Sequence, residues 1–215
     1  MGKGKIALLC ALPCAFCLLA ALVSTGVFLP AEQAVYSMAA KTISSGMTLV
    51  MRIVTEVGST LPVILICLGL LLLPSVRWRA GIPAVAGICI SVICNQILKY
   101  MFHRPRPTVL RLAPADGYSF PSGHSMNNAT LYVILALLLV PLLGRLWQRA
   151  LAFSGFLLPP FLVGVSRIYL GVHFFGDVLC GWLLGIWFAL IASIVWRKYG
   201  EKFHVWLCRR TKRQT

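Results

Sequence analysis

Three short clusters of this sequence stand out as able to do polar chemistry. They are Lys99-x6-Arg106-Pro107, Pro121-Ser122-Gly123-His124 and Ser166-Arg167-x5-His173-x3-Asp177. A phosphoryl group carries its charge on oxygens and needs fixed cations. Lys99, Arg106 and Arg167 can supply them, the arginines as planar forks. Ser122 can donate a hydroxyl, Gly123 lets backbone approach closely, and amides at a helix start point at an anion. His173 and Asp177 are four apart, so on a helix they share a face. A carboxylate on one ring nitrogen would fix the tautomer and leave the other nitrogen as nucleophile. Attack on phosphorus would give a phosphohistidine. His124 then has a separate task, protonating the leaving oxygen and later activating water. The cations would stabilise charge building on the equatorial oxygens. This chemistry asks for no metal and no organic cofactor.

The elements that must position these groups are membrane spans. Of the 215 residues, 59% are hydrophobic and only 12% charged. A soluble domain carries about twice that charged fraction, so the bilayer must be part of this chain's solvent. Six apolar stretches run roughly over 6–29, 57–76, 80–98, 126–143, 150–165 and 174–196. They predict an all-α, six-transmembrane helix bundle forming a single domain over 1–215. Pro159-Pro160 should kink the fifth span, with neighbouring helices covering the freed carbonyls. The apolar run after Met1-Gly2-Lys3-Gly4-Lys5 is too long for a signal-peptide core and reads as an uncleaved first span. Within 31–56, Val35, Met38, Ala39, Ile43, Met47 and Val50 recur at a spacing that suits a short interfacial helix.

Charge sets an expected orientation. With the N-terminus inside, 13 of the 20 Lys and Arg fall in inner segments (1–5, 77–79, 144–149, 197–215) and 7 outside. That bias predicts cytoplasmic termini. All three clusters then lie at the outer end, where a lipid headgroup meets water. The net charge of +15 comes in short runs between apolar stretches rather than on an aromatic-interleaved stripe, which argues against nucleic-acid binding. The basic tail 197–215 is expected to anchor anionic membrane lipid.

Taken together, in this order and at these spacings, the clusters resemble the three signature motifs of the type 2 phosphatidic acid phosphatase family. Its wider superfamily includes vanadium haloperoxidases and soluble bacterial acid phosphatases. The resemblance spans Lys99 to Asp177, and every motif position that can be matched holds the expected residue type. It implies that Lys99, Arg106, Ser122, Gly123 and Arg167 bind phosphate and that His124, His173 and Asp177 do the chemistry. The 120–127 run looks most like small bacterial phosphatidylglycerophosphatase-type members, which implies a bacterial plasma membrane. The expected substrate is a lipid phosphate monoester or diphosphate: phosphatidylglycerol phosphate, phosphatidic acid or undecaprenyl diphosphate. The alternatives are a lipid phosphotransferase using the same intermediate and a non-catalytic lipid carrier. Oligomeric state is not legible.

Other polar residues have plainer readings. His103 and His204 read as interfacial residues, and the cysteines as packing side chains. Asn127 and Asn128 suit interhelical hydrogen bonds. Arg104 and Arg111 read equally well as substrate contacts or as headgroup-region charges. Asp116 and Tyr118 could line an entrance.

Overall fold

The computed structural model describes residues 3–109 and 111–211. Residues 1–2 and the end of the predicted tail from Lys212 lie outside the described residues, as do the side chains of Lys3, Lys5, Arg209 and Arg210. The described chain is all-helical, as expected.

Helix α1 (Lys3–Ser24) crosses first, and a turn through Gly26 leads into α2 (Leu29–Ala40). Helix α3 (Ser45–Val57) is capped by the Ser44 side chain, which accepts from the Met47 amide at 3.2 Å. Helix α4 (Thr60–Leu72) follows after a 42° bend. Residues 31–56 therefore form two helices rather than one. The second expected span is a broken one, α3 plus α4, because α4 alone reaches only about 20 Å at 1.5 Å per residue. Asn128 fixes the break by donating to the Gly58 carbonyl at 2.8 Å.

The chain turns back at Leu73-Pro74, earlier than the charged 77–79 segment suggested. A proline ring cannot continue the preceding helix but suits the first turn of a new one. The three-residue α5 (Pro74–Val76) and a π-turn (Arg77–Gly81) run directly into α6 (Ile82–Phe102). After the 103–122 loop come α7 (Gly123–Leu139), α8 (Leu146–Tyr169) and α9 (Phe175–Thr211). Among the described residues five helical segments are long and apolar enough to span, and the bent pair, taken as one span, makes a sixth. Helix α8 runs unbroken through Pro159 and Pro160, and Trp182 of α9 donates to the Pro160 carbonyl at 3.0 Å. The basic tail continues α9 without a joint as far as Thr211.

Helix α7 is the bundle's axis, with buried residues along nearly its whole length. Gly181 and Gly185 of α9 let it lie against that helix. A Cβ there would sit 2.7 Å from the Ser122 carbonyl oxygen and 2.4 Å from that of Met126. Small residues one turn apart commonly allow such close approach between spans. The starts of α7 and α9 are thereby held together at one end of the bundle, where α6 and α8 end.

Candidate active site

The structure brings all three clusters to that end. Lys99 sits in the last turn of α6. His103 caps this helix with a left-handed φ of 46°, turning the chain toward Arg104 and Arg106. Ser122 is the N-cap of α7, its hydroxyl accepting from the Ser125 amide at 3.4 Å. Arg167 sits in the last turn of α8, and Gly171, with φ of 65°, turns the chain into His173. Leu170 and Val172 anchor this turn against Met51 of α3 and Leu112 of the loop. One backbone bond joins the second and third clusters, Ser122 N–H to the Asp177 carbonyl at 3.0 Å.

His173 is 2% exposed and Asp177 fully buried. Arg106 Nη1 lies 3.2 Å from His173 Nε2. A guanidinium only donates, so this contact requires Nε2 to carry the lone pair and Nδ1 the proton. Nδ1 faces Asp177 Oδ2 at 3.5 Å, a close approach without hydrogen-bond geometry. The expected i,i+4 pairing is thus loose. His173 stands in the turn before α9, so helical stacking does not hold the ring on the carboxylate. Asp177 instead accepts from Arg104 Nη1 at 2.6 Å and from the Phe174 amide at 2.9 Å.

The predicted phosphate-binding residues divide into committed and open groups. Arg106 gives its donors to the carbonyls of Val172 (2.8 Å), Asp116 (2.8 Å) and Gly117 (3.0 Å). Arg167 is buried and donates through Nη1 to Thr55 at 2.8 Å, while its Nε has no partner among the described residues. Lys99, Gly123 and His124 line a cavity of about 460 Å³ that continues along Val63, Ile64, Ile88 and Val92. Arg167, His173, Lys99 and Arg106 all lie within Coulombic reach of His124. Gly123 has a packing reason beside its expected one, because a Cβ would lie 2.9 Å from Asn95 Oδ1.

Burial pushes the His173 imidazole down to about 4. Arg167 and Arg106 work in the same direction, and the Asp177 contact opposes them. At neutral pH the ring is uncharged. Burial also works against the charge of Arg104, but Glu32 and Asp177 outweigh it and hold the guanidinium above its usual value.

Sequence reasoning missed Glu32 and underweighted Arg104. A signal for Glu32 existed: only five acidic residues occur in the chain, and one in an otherwise apolar setting needs a partner. Asp116 and Tyr118 do not line the cavity. Asp116 offers its carbonyl to Arg106, and the Tyr118 ring packs edge-on against His103 at 4.6 Å. Asn127 accepts from Ser91 at 2.7 Å and Asn128 donates to the Gly58 carbonyl at 2.8 Å, the interhelical bonds expected of them, and Asn128 also donates to the His124 carbonyl of its own helix at 2.8 Å.

The chain is similar to known proteins in sequence and fold. Phosphatidylglycerophosphatase B of Bacillus subtilis (strain 168) is 33% identical over 177 residues, covering 80% of this chain and 86% of that protein. An undecaprenyl-diphosphatase of Sulfolobus acidocaldarius is 34% identical over 121 residues, covering 53% of this chain and 54% of the relative. The crystal structure of the transmembrane PAP2 type phosphatidylglycerolphosphate phosphatase from Bacillus subtilis matches with a TM-score of 0.76 and 31% identity. That match covers 90% of this chain and 96% of the other. The family model described as PAP2 superfamily matches residues 80–201, which include every residue of the three clusters, and the chain is a membrane-spanning member of that superfamily.

Proposed function

We propose that this chain hydrolyses lipid phosphate monoesters or diphosphates through a phosphohistidine on His173. The observation that carries this reading is the 3.2 Å approach of Arg106 to His173 Nε2 beside the unpaired Arg167 Nε. The first leaves a neutral ring with its lone pair toward a cation. The second is a buried donor that asks for an acceptor. A phosphoryl group bound by Arg167, Lys99 and Arg106, with Ser122 and the α7 amides, would bring phosphorus to Nε2. The leaving oxygen would depart toward His124, which lines the apolar-ended cavity where lipid chains can remain in the bilayer. His124 protonates that oxygen and then activates the water that releases phosphate. Three protein cations do the electrostatic work, so the reaction proceeds without a metal.

In this reading residues 1–215 form one catalytic membrane domain with cytoplasmic termini and an outward site in a bacterial plasma membrane, and 197–215 serve as the basic anchor. The names of the relatives nominate phosphatidylglycerol phosphate and undecaprenyl diphosphate, with phosphatidic acid as a third substrate to try. The test is phosphate release by purified protein from these three lipids and from an aryl phosphate, with and without EDTA. Release from at least one lipid, unchanged by EDTA, is expected. Loss restored by one divalent ion would overturn the metal-free scheme. Phosphate appearing only on an added alcohol acceptor would make the protein a phosphotransferase.

A further inference from the structure

The only buried residue of α2 is a glutamate. Glu32 is 2% exposed, on a helix whose other side chains are half-buried or exposed. A carboxylate loses its solvation when buried this way and stays charged only if its oxygens are well paired. Glu32 Oε2 accepts from Arg104 Nη2 at 2.5 Å. Its Oε1 accepts from Arg104 Nη1 at 3.0 Å and from the Gly176 amide at 3.2 Å. Gly176 makes the fit possible, because a Cβ there would stand 2.6 Å from Oε1.

The same Arg104 Nη1 reaches Asp177 Oδ1 at 2.6 Å. Its guanidinium also lies 4.2 Å over the ring of Phe174, the residue after His173. With Oδ1 held by Arg104 and Oδ2 by the Phe174 amide, the Asp177 carboxylate has one orientation, in which Oδ2 faces His173 Nδ1 at 3.5 Å. The chain of contact runs Glu32, Arg104, Asp177, His173. Its first member lies outside all three motifs. Arg104 is charge-satisfied by two carboxylates, whereas Arg167 makes no ion pair among the described residues.

We propose that Glu32 and Arg104 are positioning residues of this centre, Glu32 by fixing the Arg104 guanidinium and Arg104 by fixing the Asp177 carboxylate against His173. The proposal rests on the reading of His173 as nucleophile. Helix α2 thereby becomes part of the reaction apparatus rather than a connector.

The test uses the full chain in detergent, with phosphatidic acid and an aryl phosphate as substrates. The variants are Glu32→Gln, Arg104→Lys, Asp177→Asn and the double Arg104→Lys/Asp177→Asn. Lysine keeps the buried positive charge but loses the fork, so folding is expected to survive where Arg104→Met would risk it. Arg104→Lys should lower kcat by about 10–100-fold, by analogy with the loss of a partner that orients a metal ligand. KM should change less than about twofold, since the ground-state contacts remain. Glu32→Gln should lower kcat by about tenfold. The double variant should be no slower than Asp177→Asn alone, because residues acting through one another are not additive. A raised KM at constant kcat, or losses that multiply in the double variant, would overturn the proposal. A second readout is the His173 ring signal in protein labelled with [15N]histidine, which should move in both Arg104→Lys and Glu32→Gln. An unmoved signal also overturns the proposal, whatever the activity. Wild-type protein that releases no phosphate while the ring signal responds would count against the hydrolytic reading and not against the network.

Discussion

The two walls of this site handle charge in opposite ways. On the α2 side, Glu32, Arg104 and Asp177 form a closed set in which each charged group meets an opposite one, at 2.5 and 2.6 Å for the closest contacts. On the α6–α8 side, Lys99, Arg106, Arg167 and His124 make no ion pair with a carboxylate among the described residues, and the Arg167 Nε is buried without a partner among them. The first wall is finished by the fold itself. The second gathers positive charge in and beside apolar spans, where ionisable groups are costly unless paired or functional. The paired wall holds groups still, and in the proposed reaction the unpaired wall receives the phosphate anion. His173 stands between them, with Nδ1 toward the paired wall and Nε2 toward the open one.

The largest effect expected from breaking this arrangement is at His173. His173→Ala should reduce turnover by about 10⁴-fold or more on both lipid and aryl phosphates, as removing a nucleophile does elsewhere. Label from a ³²P-substrate should no longer be trapped on the protein. Substantial residual activity in this variant, with none in His124→Ala on either substrate, would exchange the roles of the two histidines.

Next comes His124, whose loss should depend on the leaving group. An alkyl alkoxide needs a proton and an aryl oxide scarcely does. His124→Ala should therefore lose about 10²–10⁴-fold on a lipid phosphate and much less on the aryl ester. Equal losses on both would remove the general-acid assignment.

The open wall itself is tested at Arg167. Arg167→Met should cost about 10²–10³-fold in kcat, the range for one donor to a developing oxyanion, and should abolish inhibition by vanadate. Arg106→Lys should be the milder substitution on vanadate affinity, because the Arg106 fork is already held by three backbone carbonyls. If the two variants bound vanadate alike, the division between committed and open cations would fail.

The open wall was legible in the sequence and the paired wall largely was not. Lys99, Arg106, His124, Arg167 and His173 announce themselves because ionisable residues at span ends are uncommon and because their spacings fix which helix end each occupies. The spans were legible for a related reason: hydrocarbon tolerates only long apolar runs, which can be counted. The pairing of Glu32 with Arg104 bridges 72 positions, and no local pattern links an interfacial helix to a loop that far downstream. The broken span was hidden as well. Residues 45–72 read as an amphipathic stretch followed by an apolar one, and only the Gly58 carbonyl bonded to Asn128 shows where the bend is fixed.

The smallest expected effect is in pH, and it reports on His173 between the two walls. Burial, helped by Arg167 and Arg106 and opposed by Asp177, pushes its folded value down to about 4. An unfolded histidine titrates near 6.5. Between those values the unfolded chain holds a proton that the folded chain does not. This group's contribution to stability is therefore fully present above about pH 6.5 and is lost as pH falls toward 4. In the proposed reaction the neutral ring is also the nucleophile, so activity should show no loss attributable to His173 between pH 6.5 and 5. The second ionisation of a phosphate substrate falls near pH 6 and would blur a rate profile, so the measurement belongs on the protein. In a titration followed by [15N]histidine signals, the wild-type ring should remain neutral through pH 5. Arg106→Gln removes the cation 3.2 Å from Nε2, and its midpoint should move upward. A wild-type midpoint near 6.5 would mean that Asp177 offsets burial and the open wall together. A midpoint unmoved in Arg106→Gln would mean that this cation exerts no net field on the ring, and the contrast between the walls would then not extend to the residue they share.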